Sequence, residues 1–92
     1  MLYLSAISEV ELFSFPRLSE SEIAKIEAIL ETMAIIPLDS RIARTAGQIQ
    51  RLYRLKIADS VIAATAMFTG TVLLTRNVRD FKRIKDLPIE RI

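Results

Sequence analysis

Short apolar runs alternate with helical patterns along this chain of 92 residues, and this alternation limits the folds that it can adopt. Three runs are suited to buried strands, and a fourth is typical of a short edge strand. They are LYLS at 2–5, AIIPL at 34–38, TVLLT at 71–75 and PIERI at 88–92. Strands that alternate with helices predict an α/β fold with a parallel sheet and right-handed crossovers. The length predicts one domain spanning residues 1–92.

The segments between the first two runs have the spacing of amphipathic helices. A helical pattern starts at Ser8 and ends at Pro16, because proline interrupts a helix. Ser19 and Glu22 fit a capping box, in which the serine hydroxyl and the glutamate carboxylate each accept a hydrogen bond from a free backbone amide. This box predicts the start of a helix over residues 20–33, with apolar side chains at helical spacing.

Two more helices are predicted in the second half of the chain. Residues 40–54 place an apolar stripe opposite four arginines. The segment ADSVIAATAMFTG at 58–70 is apolar almost all round, which predicts a buried helix that ends at Gly70. The following run at 71–75 does not alternate, which predicts a strand covered on both faces. A polar connection with one helical turn is expected at 76–88.

The composition excludes several kinds of active site. The chain contains no Cys and no His, so it cannot form a thiolate zinc site, a cysteine nucleophile or a Ser-His-Asp triad. Any bound metal must take oxygen ligands, which suits Mg²⁺, Mn²⁺ or Ca²⁺. Without cysteines or a signal sequence, we expect a cytoplasmic protein. The longest uncharged run has 16 residues, fewer than the roughly 20 that a membrane span needs.

Charge is divided unevenly between the two parts of the chain. Residues 1–40 carry a net charge of −5, whereas residues 41–92 carry +7. A basic segment suggests a polyanionic partner, and ordinary solvated surfaces are the alternative interpretation.

Three acidic residues follow strands or open helices, which are the positions where functional groups gather in parallel sheets. Glu11 follows the first strand, Asp59 opens the apolar helix and Asp80 follows the last long strand. Carboxylates that converge cannot all stay ionised without a cation, so convergence would indicate a divalent metal that processes phosphate groups. Each residue also has a simpler interpretation. Glu11 could be a solvent-facing acid, Asp59 an N-cap and Asp80 a turn former.

Longer motifs resemble one known family. The segments PLDSRIARTAGQI, KIADSVIAATA and TVLLTRNVRDFKRIKDL occur in the order and spacing of the C-terminal part of a PIN domain, of the VapC toxin ribonuclease type. The segment LSAISEVELF at 4–13 resembles the second-strand motif of that family, which ends in an acid followed by leucine. The resemblance covers most of the chain.

The resemblance implies a three-layer α/β fold, with helices flanking a parallel sheet, and a metal-dependent endoribonuclease. In such enzymes acidic residues at the carboxyl edge of the sheet hold Mg²⁺ or Mn²⁺, which activates a water molecule against an RNA phosphodiester. Carried onto this sequence, the implied catalytic acids are Glu11, Asp59 and Asp80. The implied metal ligands are the same three acids and Asn77, and it stays open whether Asn77 or Asp80 faces the metal.

The implied partners are RNA, whose phosphates Arg76 and Arg79 would contact, and a VapB-type antitoxin. The family also has a first, central strand that ends in an Asp-Thr-Asn motif, and this sequence begins at the second-strand motif. We therefore expect an N-terminally truncated PIN domain with impaired activity. Strand edges around 2–4 and 72–74 would lack partners, which favours a homodimer over direct closure of the two strands on each other.

Two other functions remain open. A non-catalytic PIN remnant could act as a binding or assembly module, for example by binding an antitoxin. A generic nucleotide-binding α/β domain is disfavoured, because the sequence has neither a GxGxxG motif nor a P-loop.

Overall fold

The computed structural model describes residues 2–92. Its helices and strands follow the predicted order along the chain. They are β1 (Tyr3–Ser5), α1 (Ala6–Phe13), α2 (Glu20–Leu30), β2 (Ala34–Ile36), α3 (Ser40–Tyr53), α4 (Ile57–Thr69), β3 (Leu73–Thr75), α5 (Val78–Phe81) and β4 (Ile89–Arg91). The chain divides into two compact units, one ending at Leu38 and the other running from Asp39 to Ile92. The prediction of a single domain stays a prediction.

The first unit contains a parallel pair of strands, β1 and β2, in which Tyr3 lies opposite Ala34 and Ser5 opposite Ile36. Helix α1 starts directly after β1, two residues before the predicted start at Ser8. The reason is local, since the Ser5 hydroxyl accepts a hydrogen bond from the Ile7 amide and so caps the helix.

Helix α2 confirms the predicted capping box. The Ser19 hydroxyl accepts a hydrogen bond from the Glu22 amide, and the Glu22 carboxylate accepts one from the Ser19 amide, both at 3.1 Å. The helix ends at Leu30, three residues before the predicted end. There the Thr32 hydroxyl and amide both donate to the carbonyl of Ile29, which closes the last turn.

The second unit is built on α3 and α4, which pack against each other. Helix α3 buries its predicted apolar stripe, and α4 contributes mainly small residues that allow close approach. Helix α4 ends at Gly70, which adopts a left-handed conformation with φ 64° as a C-cap. Side chains at the end of α5 and after it complete this core. The buried apolar residues of the unit are Ile42, Ala46, Ile49, Leu55, Val61, Ala63, Ala64, Ala66, Phe81, Ile84 and Leu87.

Strands β3 and β4 form a second parallel pair, with Leu73 opposite Ile89 and Thr75 opposite Arg91. Helix α5 is the single helical turn expected in the polar connection. The prediction that the 71–75 run is covered on both faces is wrong, because Leu74 is 49% exposed. An unalternated apolar run indicates that both faces of a strand are suited to burial, but it does not show that other elements cover them. Within residues 2–92 this sheet has only two strands, and Leu74 remains exposed.

Burial differs sharply between the two units. Every buried apolar residue of the described chain lies at Ile42 or later, and Ser5 is the one buried residue among residues 2–38. Several large apolar side chains of the first unit are exposed, including Val10, Phe15 and Ile29. Within residues 2–92, no helix is long and apolar enough to cross a membrane.

Candidate active site

Asn77 and Asp80 form one hydrogen-bonded pair at the start of α5. The Asn77 side-chain amide donates to Asp80 Oδ2 at 2.8 Å, and the Asn77 side-chain oxygen accepts from the Asp80 backbone amide at 3.4 Å. Asn77 is thus the N-cap of α5, and it also holds the carboxylate of a residue in that helix. The sequence leaves open which of the two residues faces a metal, and the structure shows that their side chains are coupled.

The hydrogen bond from Asn77 is the main cause that lowers the pKa of Asp80 below its ordinary value. Partial burial acts in the opposite direction, whereas the nearby guanidinium groups of Arg79 and Arg83 lower this pKa further. Arg79 Nε lies 3.6 Å from Asp80 Oδ1, and the arginine side chain is 87% exposed. Asp80 is therefore held as a carboxylate at neutral pH.

Asp59 lies in the first turn of α4 and is half-buried. It is not the N-cap, because that position belongs to Lys56, whose side chain makes no capping hydrogen bond. The structure thus corrects the simpler interpretation of Asp59 as a cap. Burial raises the pKa of Asp59 above its ordinary value, the positive charge of Lys56 opposes this shift, and the negative charge of Asp80 adds to it.

The negative charge of Asp80 contributes to the raised pKa of Asp59, so these two predicted site residues of the second unit lie within electrostatic range of each other. Asp59 comes from the start of α4, and Asp80 from the helical turn after β3. Two carboxylates and an amide oxygen fit a hard divalent cation, because Mg²⁺ is commonly bound through one or two carboxylates and completes its shell with water or phosphate oxygens. Within residues 2–92, no group of three or more acidic side chains is arranged to hold a metal.

Glu11 belongs to the first unit, where it lies exposed near the end of α1. Its carbonyl oxygen accepts hydrogen bonds from the amide and the hydroxyl of Ser14, which close the helix. The predicted convergence of Glu11 with Asp59 stays a prediction.

Thr75 contributes to this site and is missed by sequence reasoning. It is the last residue of β3, and its hydroxyl oxygen accepts a hydrogen bond of 2.9 Å from the Asn77 backbone amide. The signal in the sequence is a threonine two positions before an asparagine. At this spacing a threonine hydroxyl can accept a hydrogen bond from the backbone amide two residues later, which forms a local turn.

Arginines lie next to the Asn77–Asp80 pair in the sequence. Arg76 and Arg79 are both exposed, as expected of groups that could meet a polyanion. Arg83 instead binds within the unit, because it donates to the carbonyl oxygens of Tyr53 and Asp80.

Comparison with known proteins identifies the family. The sequence matches the PIN domain over residues 1–87. The chain belongs to the PIN domain family. This PIN domain is 37% identical over 89 residues to Ribonuclease VapC19 of Mycobacterium tuberculosis, in an alignment that covers 88% of the chain and 71% of the relative. It is 39% identical over 72 residues to Ribonuclease VapC1 of Rickettsia felis, covering 73% of the chain and 54% of the relative.

Solved structures confirm the fold of the PIN domain. The DNA-bound VapBC of Salmonella typhimurium matches it with a TM-score of 0.86 and 28% identity, over 97% of this chain and 74% of that one. VapBC-1 of nontypeable Haemophilus influenzae matches with a TM-score of 0.82 and 27% identity, over 98% of this chain and 73% of that one. The α/β fold and the VapC ribonuclease family expected from the sequence motifs are therefore confirmed.

Proposed function

We propose that this PIN domain is a metal-dependent endoribonuclease that hydrolyses RNA phosphodiesters. The observation that carries the proposal is the Asn77–Asp80 pair, joined by a 2.8 Å hydrogen bond, together with the half-buried Asp59, whose pKa is raised by burial and also by the negative charge of Asp80. Two like charges held together by the fold are stabilised by a cation between them. Mg²⁺ or Mn²⁺ suits this oxygen-only set, and the relatives named VapC ribonuclease support an RNA substrate.

Each residue of the site has a distinct role in this proposal. Asp59, Asn77 and Asp80 of the second unit would hold the metal, and the role of Glu11 as a further ligand stays a prediction. When bound, Mg²⁺ or Mn²⁺ supplies a Lewis acid for the phosphoryl oxygen and lowers the pKa of a water molecule. Asn77 keeps the Asp80 carboxylate oriented through its 2.8 Å hydrogen bond.

The exposed arginines would bind the RNA backbone. Arg76 and Arg79 lie on either side of Asn77 in the sequence, and both side chains are open to solvent. Contacts of guanidinium groups with phosphates provide affinity and salt dependence without sequence choice. RNA affinity should therefore fall as the salt concentration rises.

We expect cleavage to be slow. The described part of the second unit provides two neighbouring carboxylates and one amide, and a small ligand set holds a metal and its water less firmly. The test is cleavage of an end-labelled single-stranded RNA by the purified chain in Mn²⁺. Slow cleavage that stops on addition of EDTA supports the proposal, and cleavage that continues in EDTA contradicts it.

A second candidate function, a binding module for a VapB-type antitoxin, is favoured by an apolar groove in the first unit. The groove has a volume of about 670 Å³ and lies between α1 and α2. Its walls include Leu12, Phe15 and Ile26, and Phe15 is 63% exposed. Because no apolar side chain of residues 2–38 is fully buried, a partner that covers this groove would add to the apolar burial of the unit.

The charges on the groove indicate the chemistry of its occupant. Arg17 and Lys25 line the groove, and they are the only two basic residues among the first 40. Neither forms a salt bridge within the described residues. The third charged lining residue, Glu22, is engaged in the capping box. We therefore propose that a segment of the antitoxin with apolar and acidic side chains fills the groove. The solved VapBC complexes support a VapB-type antitoxin as the partner.

Charge reversal tests this interface with a purified VapB-type antitoxin. Lys25→Glu should weaken the complex, because it places a like charge against the acidic segment. Glu27→Lys, on the same helix outside the groove lining, is the matched control. Equal affinities of Lys25→Glu and the unchanged chain would exclude the groove as the antitoxin site.

A further inference from the structure

Thr75, Asn77 and Asp80 are connected by successive hydrogen bonds at the end of β3. The Thr75 hydroxyl accepts from the Asn77 backbone amide at 2.9 Å, and the Asn77 side-chain amide donates to Asp80 Oδ2 at 2.8 Å. All three residues are half-buried, so water competes less for these bonds than at an open surface. The series joins a strand residue to a carboxylate of the candidate site.

Few other contacts fix the orientation of Asn77, among them a hydrogen bond of 3.4 Å that its carbonyl oxygen accepts from the Phe81 amide. Its backbone has φ −91° and ψ 61°, which belongs to neither a helix nor a strand, so no ladder bond holds its amide. Its side chain is committed to Asp80 through both the amide nitrogen and the oxygen. The bond to Thr75 is thus the side-chain contact that ties the Asn77–Asp80 pair to the end of β3.

Thr75 itself is well placed to act as an anchor. It lies opposite Arg91 in the parallel β3–β4 pair, and its carbonyl oxygen accepts a hydrogen bond from the Ile92 amide. These backbone bonds do not involve the hydroxyl. Replacing the hydroxyl with a methyl group should therefore leave the strand intact and release only the Asn77 amide.

We infer that Thr75 is a positioning residue, whose hydroxyl fixes Asn77 and through it the direction of the Asp80 carboxylate. A change in metal affinity on loss of the Thr75 hydroxyl rests on the proposed function, whereas the change in the orientation of Asn77 does not. Thr75 touches neither substrate nor metal in this role. Groups that orient metal ligands commonly change metal affinity by about 10-fold or more when they are removed.

Three variants separate this role from a merely structural one. Thr75→Val keeps the β-branched shape and removes the hydroxyl, and Thr75→Ser restores the hydroxyl without the methyl group. Thr71→Val is the matched control, because the Thr71 hydroxyl pairs with the Thr69 hydroxyl away from Asn77. Circular dichroism of each full chain verifies that the fold is retained.

The first measurement is made on the metal-free chain by NMR. In Thr75→Val, the backbone and side-chain amide resonances of Asn77 should shift, and its backbone amide should exchange with solvent about 10-fold faster or more. Thr75→Ser should restore the original spectrum, and Thr71→Val should leave Asn77 unchanged. Asn77 resonances that do not respond to Thr75→Val would overturn the inference.

The second measurement is the Kd for Mn²⁺ alone, obtained by titration of the same chains. Thr75→Val should bind Mn²⁺ about 10-fold more weakly, with recovery in Thr75→Ser. An unchanged Kd in Thr75→Val would overturn the positioning role toward the metal. An unchanged chain that binds no Mn²⁺ would contradict the proposed function, and the Asn77 resonances would still decide whether Thr75 orients the pair.

Discussion

Arg83 donates a 2.6 Å hydrogen bond from its guanidinium group to the backbone carbonyl of Tyr53, thirty residues earlier in the chain. The Tyr53 hydroxyl in turn accepts a 3.2 Å hydrogen bond from the Lys85 amide. These two bonds join the last turn of α3 to the segment that follows α5. They anchor the segment carrying Asp80 to the packed helices of the second unit.

This connection predicts that Tyr53→Phe lowers stability while the fold is kept. Loss of the hydroxyl removes one hydrogen bond, which should cost about 1 kcal/mol in the free energy of unfolding. Chemical denaturation followed by circular dichroism measures this value. Tyr3→Phe is the control, because Tyr3 is an exposed strand residue, and it should change stability by much less. Equal effects of the two substitutions would contradict the connection.

The raised pKa of Asp59 predicts that Asp59→Asn stabilises the protein at neutral pH. The pKa of Asp59 is higher in the folded than in the unfolded state, so the protonated carboxyl favours folding. This contribution to the free energy of unfolding is complete below the ordinary pKa of Asp59 and is lost as the pH rises through the raised pKa. Asparagine stays neutral and therefore keeps the contribution at pH 7. The gain from Asp59→Asn at pH 7 should stay below about 1 kcal/mol, because the side chain is partly exposed to solvent.

Thermal unfolding of the unchanged chain and Asp59→Asn, at pH 7 and below pH 4, measures this dependence. The variant should melt at a higher temperature at pH 7, and the two chains should converge in acid. Asp80→Asn provides a contrast, because the pKa of Asp80 is lowered and its loss should destabilise the chain at pH 7. Destabilisation by Asp59→Asn at pH 7 would contradict this prediction, because it would show that burial does not disfavour the charged Asp59 carboxylate.

The sequence predicts the order of the elements well because local signals mark most boundaries. Gly70 and the Ser19–Glu22 box each cap a helix as predicted, whereas the cap that Asp39 provides for α3 is not predicted. The early start of α1 is missed because Ser5 acts both as the last strand residue and as a cap. Periodicity alone cannot detect this double role.

The candidate site is only partly predictable from the sequence, for a physical reason. Motifs indicate Asp59, Asn77 and Asp80 as site residues, and the structure places all three in the second unit. The hydrogen bonds that join Asn77 to both Thr75 and Asp80 depend on backbone geometry that a motif does not contain. The role of Glu11 depends on tertiary placement, and its convergence with Asp59 stays a prediction.

Unpaired strand edges predict that the protein is a homodimer. Within residues 2–92, each sheet has only two strands, and such small sheets are marginally stable without a further partner. No apolar side chain of the first unit is fully buried within these residues. Light scattering at micromolar concentration should give about twice the chain mass of 10.4 kDa. A monomeric mass with cooperative unfolding would exclude the dimer.

The most direct test of the proposed metal-dependent nuclease is RNA cleavage by two matched variants. Asp59→Asn removes a carboxylate from the candidate site. Asp86→Asn removes one from an exposed position of the same unit, with a φ of 63° that asparagine tolerates. With Mn²⁺ and a single-stranded RNA, Asp86→Asn should cleave like the unchanged chain, and Asp59→Asn should fall to the level seen in EDTA. Cleavage by Asp59→Asn at the rate of Asp86→Asn would contradict the assignment of the site.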